Sequence, residues 1–281
     1  MNIIIKCVSV LLIVISVSSC SDNSQNGNNI VYDENFQYPY SLNSFWYYST
    51  KNAVVNIRPD SLKRLYKGDT ASGYGFSSFV NDTVIENKNV RILKNEYSLD
   101  GHSSVVREYF EQTDSGLIRL ASLSNGSNLS PFRGNIKYYI NGNYFNSLNE
   151  ISFRYNNDLI SNDSIVLIDN PPLKTIKYPL ELNSEWELIN NGFVRIQKKY
   201  TGFENIDISG KNFHCMKISR SYYFSGSLPD ENFIVTDYFS AEGIVRRDLL
   251  IKNINVVNEL GNLLGYVDLS EKTTVNLFSI P

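Results

Sequence analysis

Side chains that commonly do chemistry are scarce in this chain. His102 and His214 are its only two histidines. Neither has a partner at metal-ligand spacing, and Cys215, next to His214, would project from the opposite face of a strand. No metal site is expected. Serines are plentiful, but there is no Gly-x-Ser-x-Gly elbow and no glycine-rich phosphate loop. Adjacent acids such as Asp230 and Glu231 read as solvated turn residues in a chain that carries 29 acids. What remains are adjacent aromatics, above all Tyr138–Tyr139 and Tyr222–Tyr223. Neighbours on a strand face opposite sides, so some must lie outside a single core. Exposed aromatics can hold glycans or lipid chains, whereas edge-strand and interface packing would explain them equally. These four tyrosines are the candidate ligand-binding residues, one of each pair facing a groove. No catalytic residue and no cofactor is assigned.

One cysteine does point to chemistry. Lys6 is the only charge before residue 20, an apolar run covers Val8 to Val17, and Val17-Ser18-Ser19-Cys20 follows. A short positive region, an apolar stretch of this length and small residues at its end make a secretory signal peptide over residues 1–19. The run is too short for a span of roughly 20 residues. Its last four residues resemble the bacterial lipobox, in which the cysteine is lipidated and becomes the first mature residue. Cys20 is therefore the expected lipidation site and the membrane, through that lipid, the first partner. Residues 20–30 hold no apolar side chain between Ser21 and Asn29 and read as a flexible tether. By enterobacterial sorting rules, Ser21 directly after the cysteine favours the outer membrane.

Removing residues 1–19 leaves 262 of 281 residues and 25 of the 26 basic ones, against 29 acids. There is no basic patch to suggest nucleic acid. Cys7 leaves with the signal and Cys20 is consumed by lipid, so Cys215 has no intramolecular partner and reads as a buried, inert thiol. Nineteen tyrosines and 15 phenylalanines against two methionines make a β-rich profile. No amphipathic helix of three turns is visible; Pro59 to Tyr66 fits one or two helical turns.

The elements that would position any site are set by a repeat. Residues 38–46 read Tyr-Pro-Tyr-Ser-Leu-Asn-Ser-Phe-Trp, and residues 178–186 read Tyr-Pro-Leu-Glu-Leu-Asn-Ser-Glu-Trp, with six of nine positions identical at an offset of 140. Proline belongs before a strand or at its first residue, and Asn-Ser supplies a tight turn. Trp46 and Trp186 close the two copies as structural anchors under a sheet. Further blocks recur in order: Glu108-Tyr109-Phe110 then Gly116-Leu117-Ile118-Arg119, and Asp237-Tyr238-Phe239 then Gly243-Ile244-Val245-Arg246. A duplication of this size fixes the architecture before any local reading. It predicts an all-β protein of two tandem homologous antiparallel curved-sheet domains, half-barrel-like, over residues 31–171 and 172–281, divided at Pro171-Pro172. Each is a meander with turns such as Ser209-Gly210 and Glu242-Gly243. A last hairpin is expected to turn at Ser270-Glu271-Lys272.

The order Tyr-Pro-Leu-x-x-Asn-x-x-Trp, then Gly-Lys-x-Phe-x-Cys-x-Lys-Ile, then Tyr-Phe-Ser-x-x-Gly-Ile-Val resembles a widespread Gram-negative family of predicted lipoproteins and periplasmic proteins of unknown function. Residues 178–251 carry the closer match and residues 38–120 the looser one, with Asn43 and Asn183 where the family has glycine. The resemblance implies curved antiparallel β domains and an envelope location; it implies no reaction. The reading is a lipid-anchored, non-enzymatic envelope protein with a binding or structural role toward a glycan, a lipid or a protein partner. An envelope hydrolase with a site assembled from scattered polar residues is the alternative. Converging carboxylates of raised pKa would favour it.

Overall fold

The computed structural model describes residues 35–66, 70–99, 102–127, 136–156, 165–224 and 226–281; the signal peptide, Cys20 and the tether lie outside the described residues. Two meanders follow one another along the chain. The first comprises β1 (Phe45–Arg58), β2 (Thr70–Ile85), β3 (Lys88–Leu99), β4 (His102–Thr113), β5 (Gly116–Ser127) and β8 (Leu167–Lys177). Between β5 and β8 come β6 (Ile136–Ile140), β7 (Asn143–Phe145) and the helix α1 (Leu148–Asn156). The second meander comprises β9 (Glu185–Asn190), β10 (Arg195–Ile208), β11 (Lys211–Tyr223), β12 (Phe233–Ser240), β13 (Gly243–Asn258) and β14 (Leu263–Ser279). A 3₁₀ turn over Asp60–Leu65 occupies the stretch read as one or two helical turns.

Local chemistry accounts for the meander. At the β2–β3 turn Glu86 and Asn87 both have positive φ, as do Ser209 and Gly210 between β10 and β11, and Asn141 and Gly142 between β6 and β7. Two-residue hairpins need that left-handed backbone to match the twist of the strands they join.

The duplication is visible in the main chain. Asn43 and Asn183 take positive φ of 67° and 66°. The N–H of Asn43 bonds the Phe79 carbonyl, and that of Asn183 bonds the Tyr200 carbonyl. Phe79 and Tyr200 in turn donate to the carbonyls of Ser44 and Ser184. Each ladder then slips by one residue, after Phe79 in β2 and after Tyr200 in β10.

The two half-barrels do not stand apart. They share one antiparallel sheet of order β8-β5-β4-β3-β2-β1-β14-β13-β12-β11-β10-β9, joined where β1 pairs with β14. The first unit also runs past the expected boundary: Pro171 and Pro172 lie inside β8, which pairs with β5 up to Lys177. The ladder steps from Arg119↔Leu173 to Ala121↔Ile168, so the prolines sit in an unpaired bulge of an edge strand, where their missing N–H groups cost no ladder bond. The expected hairpin at Ser270-Glu271-Lys272 is absent. Those residues continue β14 without a break and pair with Leu250, Leu249 and Asp248.

The sheet curls until β8 and β9 meet, and its interior is filled in three layers. One apolar cluster gathers Trp46, Phe79, Leu93, Phe110, Ile176, Trp186, Tyr200 and Phe239, and the two repeated phrases join it through Tyr38, Tyr178 and Leu180, with Phe36 just before the first. The Tyr38 N–H bonds the Tyr178 hydroxyl at 2.7 Å, so equivalent residues of the two copies meet there. A second cluster gathers Ile196, Tyr222, Val235, Leu249, Ile251 and Leu269 under Ile151 and Tyr155 of α1. Trp46 and Trp186 are both buried, as anchors should be. Cys215 has no exposure, and burial pushes its thiol up to about 12.

Candidate functional site

Between the two apolar layers the inward positions turn polar on strand after strand. Along β10 the buried sequence is Ile196, Lys198, Tyr200; along β11 it is Tyr222, Arg220, Ile218; along β12 it is Val235, Asp237, Phe239. The first unit follows the same rule, with Glu108 between Val106 and Phe110 and Asn95 beside Leu93. A period-2 strand that crosses an apolar, a polar and an apolar layer changes character at i, i+2 and i+4, as β10, β11 and β12 do. The result is a belt of charge inside a barrel.

Asp237 is its most buried member, with no exposure. Its Oδ2 accepts from Arg220 Nε at 3.0 Å and Nη2 at 2.7 Å, and its Oδ1 accepts from Arg247 Nε. Burial alone would raise this carboxyl, but the charges of Arg220, Arg247 and Lys198 outweigh it and hold Asp237 well below the usual carboxylate range. Arg247 Nη1 also donates to the Asn156 carbonyl at 2.8 Å, tying the belt to α1. In the first unit Glu108 holds the corresponding place. It accepts from Arg119 Nη1 at 3.0 Å and from Asn95 Nδ2 at 2.7 Å. Arg119 forks onto both Asp169 oxygens, at 2.8 and 3.3 Å. Glu271 shifts the other way: burial raises its pKa, against hydrogen bonds from Ser152 and Asn156.

The belt encloses a cavity of about 140 Å³ with walls from ten strands of the sheet and from α1. Tyr38, Tyr48, Tyr97, Phe110 and Phe239 supply its aromatic surface. Glu108, Asp237, Lys198 and Arg247 supply its charges, two of each sign. Thr50, Asn95, Asn156, Thr175 and Thr273 add neutral donors and acceptors. Among the described residues, no group of three or more His, Cys, Asp or Glu side chains is placed to hold a metal ion.

Of the four candidate tyrosines, none lines this cavity. Tyr222 is wholly buried beside Tyr155 and Phe233, and Tyr138 lies in the same apolar layer. Tyr139 is half-buried against Tyr144 at 4.8 Å, and Tyr223 sits under the Arg195 guanidinium with its hydroxyl on Gln197. The pairs divide between two faces, as period 2 requires, but the outward members meet neighbouring side chains and not a groove. The aromatics that do face the cavity carried a signal: Phe110 and Phe239 close the two recurring acid-Tyr-Phe blocks. The acids opening those blocks, Glu108 and Asp237, are the belt's carboxylates, and nothing in their local sequence marks them as buried.

Fold and belt together define a class: an antiparallel β-barrel made of two like halves, closed at both ends by side chains and charged in its middle. No protein-family model matches the chain, and no curated protein matches it. Among solved structures it is similar to a predicted lipoprotein from Parabacteroides distasonis ATCC 8503, with 12% identity and a TM-score of 0.35 over 88% of this chain and 100% of that one. It is also similar to a predicted exported protein with a YmcC-like fold from Bacteroides fragilis NCTC 9343, with 11% identity and a TM-score of 0.28 over 87% of this chain and 99% of that one. Both likenesses are distant.

Proposed function

We propose that the protein is a lipid-anchored outer-membrane protein that binds a ligand in the belt cavity, without catalysing a reaction. The signal sequence over residues 1–19, followed directly by Cys20, supports the location. The belt supports binding, and it is the observation that carries the reading. Burying ions is expensive even when they pair, and well-packed apolar side chains of similar volume often stabilise a fold at least as well. A barrel needed only as a scaffold gains little from a charged layer around a cavity. A pocket that holds a ligand needs both: aromatic surface for contact and a few polar groups for orientation.

The hydrolase reading has one observation in its favour. Asp237 and Glu271 have pKa values pushed in opposite directions, the pattern that sorts a base from an acid. Glu271, however, spends its oxygens on Ser152 and Asn156, and Asp237 spends its oxygens on two arginines. Groups so occupied suit holding a geometry better than moving a proton.

Native mass spectrometry of the full-length protein, released from envelopes in detergent, tests the binding reading. A retained small molecule is expected, and Thr50→Phe, which fills the cavity from β1, should lose it while keeping the wild-type Tm. The same mass in both forms would place the ligand elsewhere. No retained species and no binding of any added compound would overturn the reading. Cys20→Ser should move the protein from the detergent phase to the aqueous phase; equal partitioning would refute the anchor.

A further inference from the structure

The chemistry of the cavity wall says what kind of molecule fits it. This step rests on the reading of the cavity as a binding site and names the ligand's class. We infer that the ligand is neutral, rich in hydroxyl groups and the size of a monosaccharide.

Size comes first. A cavity of about 140 Å³ takes on the order of ten waters at roughly 10–15 Å³ apiece, or a molecule of about that many non-hydrogen atoms. A hexose falls in that range and an acyl chain does not, since apolar layers close the barrel above and below the belt.

Charge comes second. The wall carries Glu108 and Asp237 against Lys198 and Arg247. The cations are committed: Arg247 to Asp237 and Asn156, Lys198 to the Thr175 carbonyl at 3.1 Å. The next residues out, Arg119 and Arg220, are bound to Glu108, Asp169 and Asp237. An ionic ligand would leave water for a site whose charged groups are already engaged by other partners, which is unfavourable. A neutral one brings no such cost.

Polar matching comes third. Asn156 lines the cavity, with its Nδ2 donating to Ser152 Oγ and to Glu271 Oε1. On the same side, Thr50 and Thr273 hold their hydroxyls 3.0 Å apart and Thr273 also donates to Glu271 Oε1 at 3.5 Å, which leaves both hydroxyls with lone pairs to accept a further bond. The rings of Tyr48 and Tyr97 offer flat apolar surface to the C–H faces of a sugar. An alkyl ligand would satisfy none of these polar groups.

Calorimetric titration of the detergent-solubilised full-length protein decides the class. The neutral probes are D-glucose, D-galactose, D-mannose, L-fucose and N-acetyl-D-glucosamine. D-glucuronate and D-glucosamine are charged probes of the same size, and laurate is the apolar one. Saturable binding of at least one neutral sugar is expected, with tenfold or weaker affinity for its charged counterpart and none for laurate. The double variant Thr50→Val/Thr273→Val removes both paired hydroxyls at constant shape, and Tyr97→Leu removes a ring at similar bulk. Each should weaken sugar binding at least tenfold with Tm unchanged. Preference for glucuronate, glucosamine or laurate, or unchanged sugar affinity in both variants, would overturn the inference while leaving a binding protein. Failure of every probe, together with no retained species by mass spectrometry, would remove the binding reading itself.

Discussion

The sheet closes twice, and the two closures are not alike. At the first, β1 pairs with β14 through a ladder running from Phe45↔Ser279 to Arg58↔Tyr266. The duplication puts β9 beside β8 in the same relation, yet among the described residues no ladder pair joins them. Three inward side chains span that seam. Trp186 Nε1 donates to the Lys174 carbonyl at 2.8 Å, Lys198 Nζ to the Thr175 carbonyl at 3.1 Å, and Tyr200 Oη to the Lys177 carbonyl at 2.5 Å. The equivalents in the first unit are Trp46, Ser77 and Phe79, since Trp46 pairs with Ser77 as Trp186 pairs with Lys198. Where the backbone closes the sheet, a serine and a phenylalanine suffice. Where it does not, a lysine and a tyrosine cap the carbonyls left open. Two features of sequence keep the seam from laddering: β8 carries Pro171 and Pro172, and β9 has 6 residues against 14 in β1. Trp46, freed from that task, reaches the Glu242 carbonyl in the β12–β13 turn instead.

Variants can break this comparison or sharpen it. The largest effects belong to residues that both units share. Trp46→Ala and Trp186→Ala should each cost about 3–5 kcal/mol in denaturant unfolding. Hydrogen exchange should separate them: loss of Trp186 opens β8 and β9 to exchange, while loss of Trp46 leaves the β1–β14 ladder protected. Equal protection of the seam in both variants would show that the ladder, not the side chains, governs opening. Asp237→Ala, which strands the buried Arg220 and takes a partner from the partly exposed Arg247, should cost a similar ~3–5 kcal/mol. Glu108→Ala should cost less, because Arg119 keeps Asp169. Acid probes the same asymmetry. The folded-state pKa of Asp237 lies below its ordinary value of 3.8, so its stabilisation is complete above that value and disappears as pH falls through and below it. Wild type should lose stability over that window more steeply than Asp237→Asn, and parallel curves would contradict the assignment. Lys198→Met removes a charged donor from the seam and should cost about 1.5–3 kcal/mol. Ser77→Ala, at the equivalent place, should stay within about 0.5 kcal/mol.

The repeat, the strands and the tight turns were legible because each is written locally: Asn-Gly and Ser-Gly demand positive φ, and proline marks strand edges. The belt was not legible, for a physical reason. Inside a sheet a polar residue normally means solvent or a turn, and Ser270-Glu271-Lys272 reads as a turn by that rule. In the barrel Glu271 is a buried wall residue bonded to α1, and only the closure of the sheet makes it so. Asp237 and Glu108 stood out as members of repeated blocks, yet their arginines come from other positions: Arg220 is 17 residues from Asp237, and Asp169 is 50 residues from Arg119. Tyr138 and Tyr222 illustrate the converse error. Period 2 separates the members of an aromatic pair, but it does not say which member meets the core.

A single hydroxyl bears most directly on why the two closures differ. Tyr200 and Phe79 occupy equivalent places, and each gives its carbonyl to the equivalent asparagine, Asn183 or Asn43. They differ by one hydroxyl, and that hydroxyl bonds Lys177. Burial raises the Tyr200 pKa far above the ordinary phenol value, so the group stays a neutral donor at any physiological pH. Tyr200→Phe makes the second unit like the first at this position and removes the hydroxyl donor from the part-buried Lys177 carbonyl. The cost should be about 1 kcal/mol, typical of a neutral hydrogen bond. The location of the change matters more than its size. If the hydroxyl holds the seam, amides of β8 and β9 should exchange faster while those of β1 and β14 keep their rates. Sugar affinity, where present, should also change, because Thr175, Ile176 and Lys198 belong to both seam and cavity. A uniform rise in exchange across all strands would mean that the seam opens only with the whole barrel, and that its missing ladder makes no local weak point.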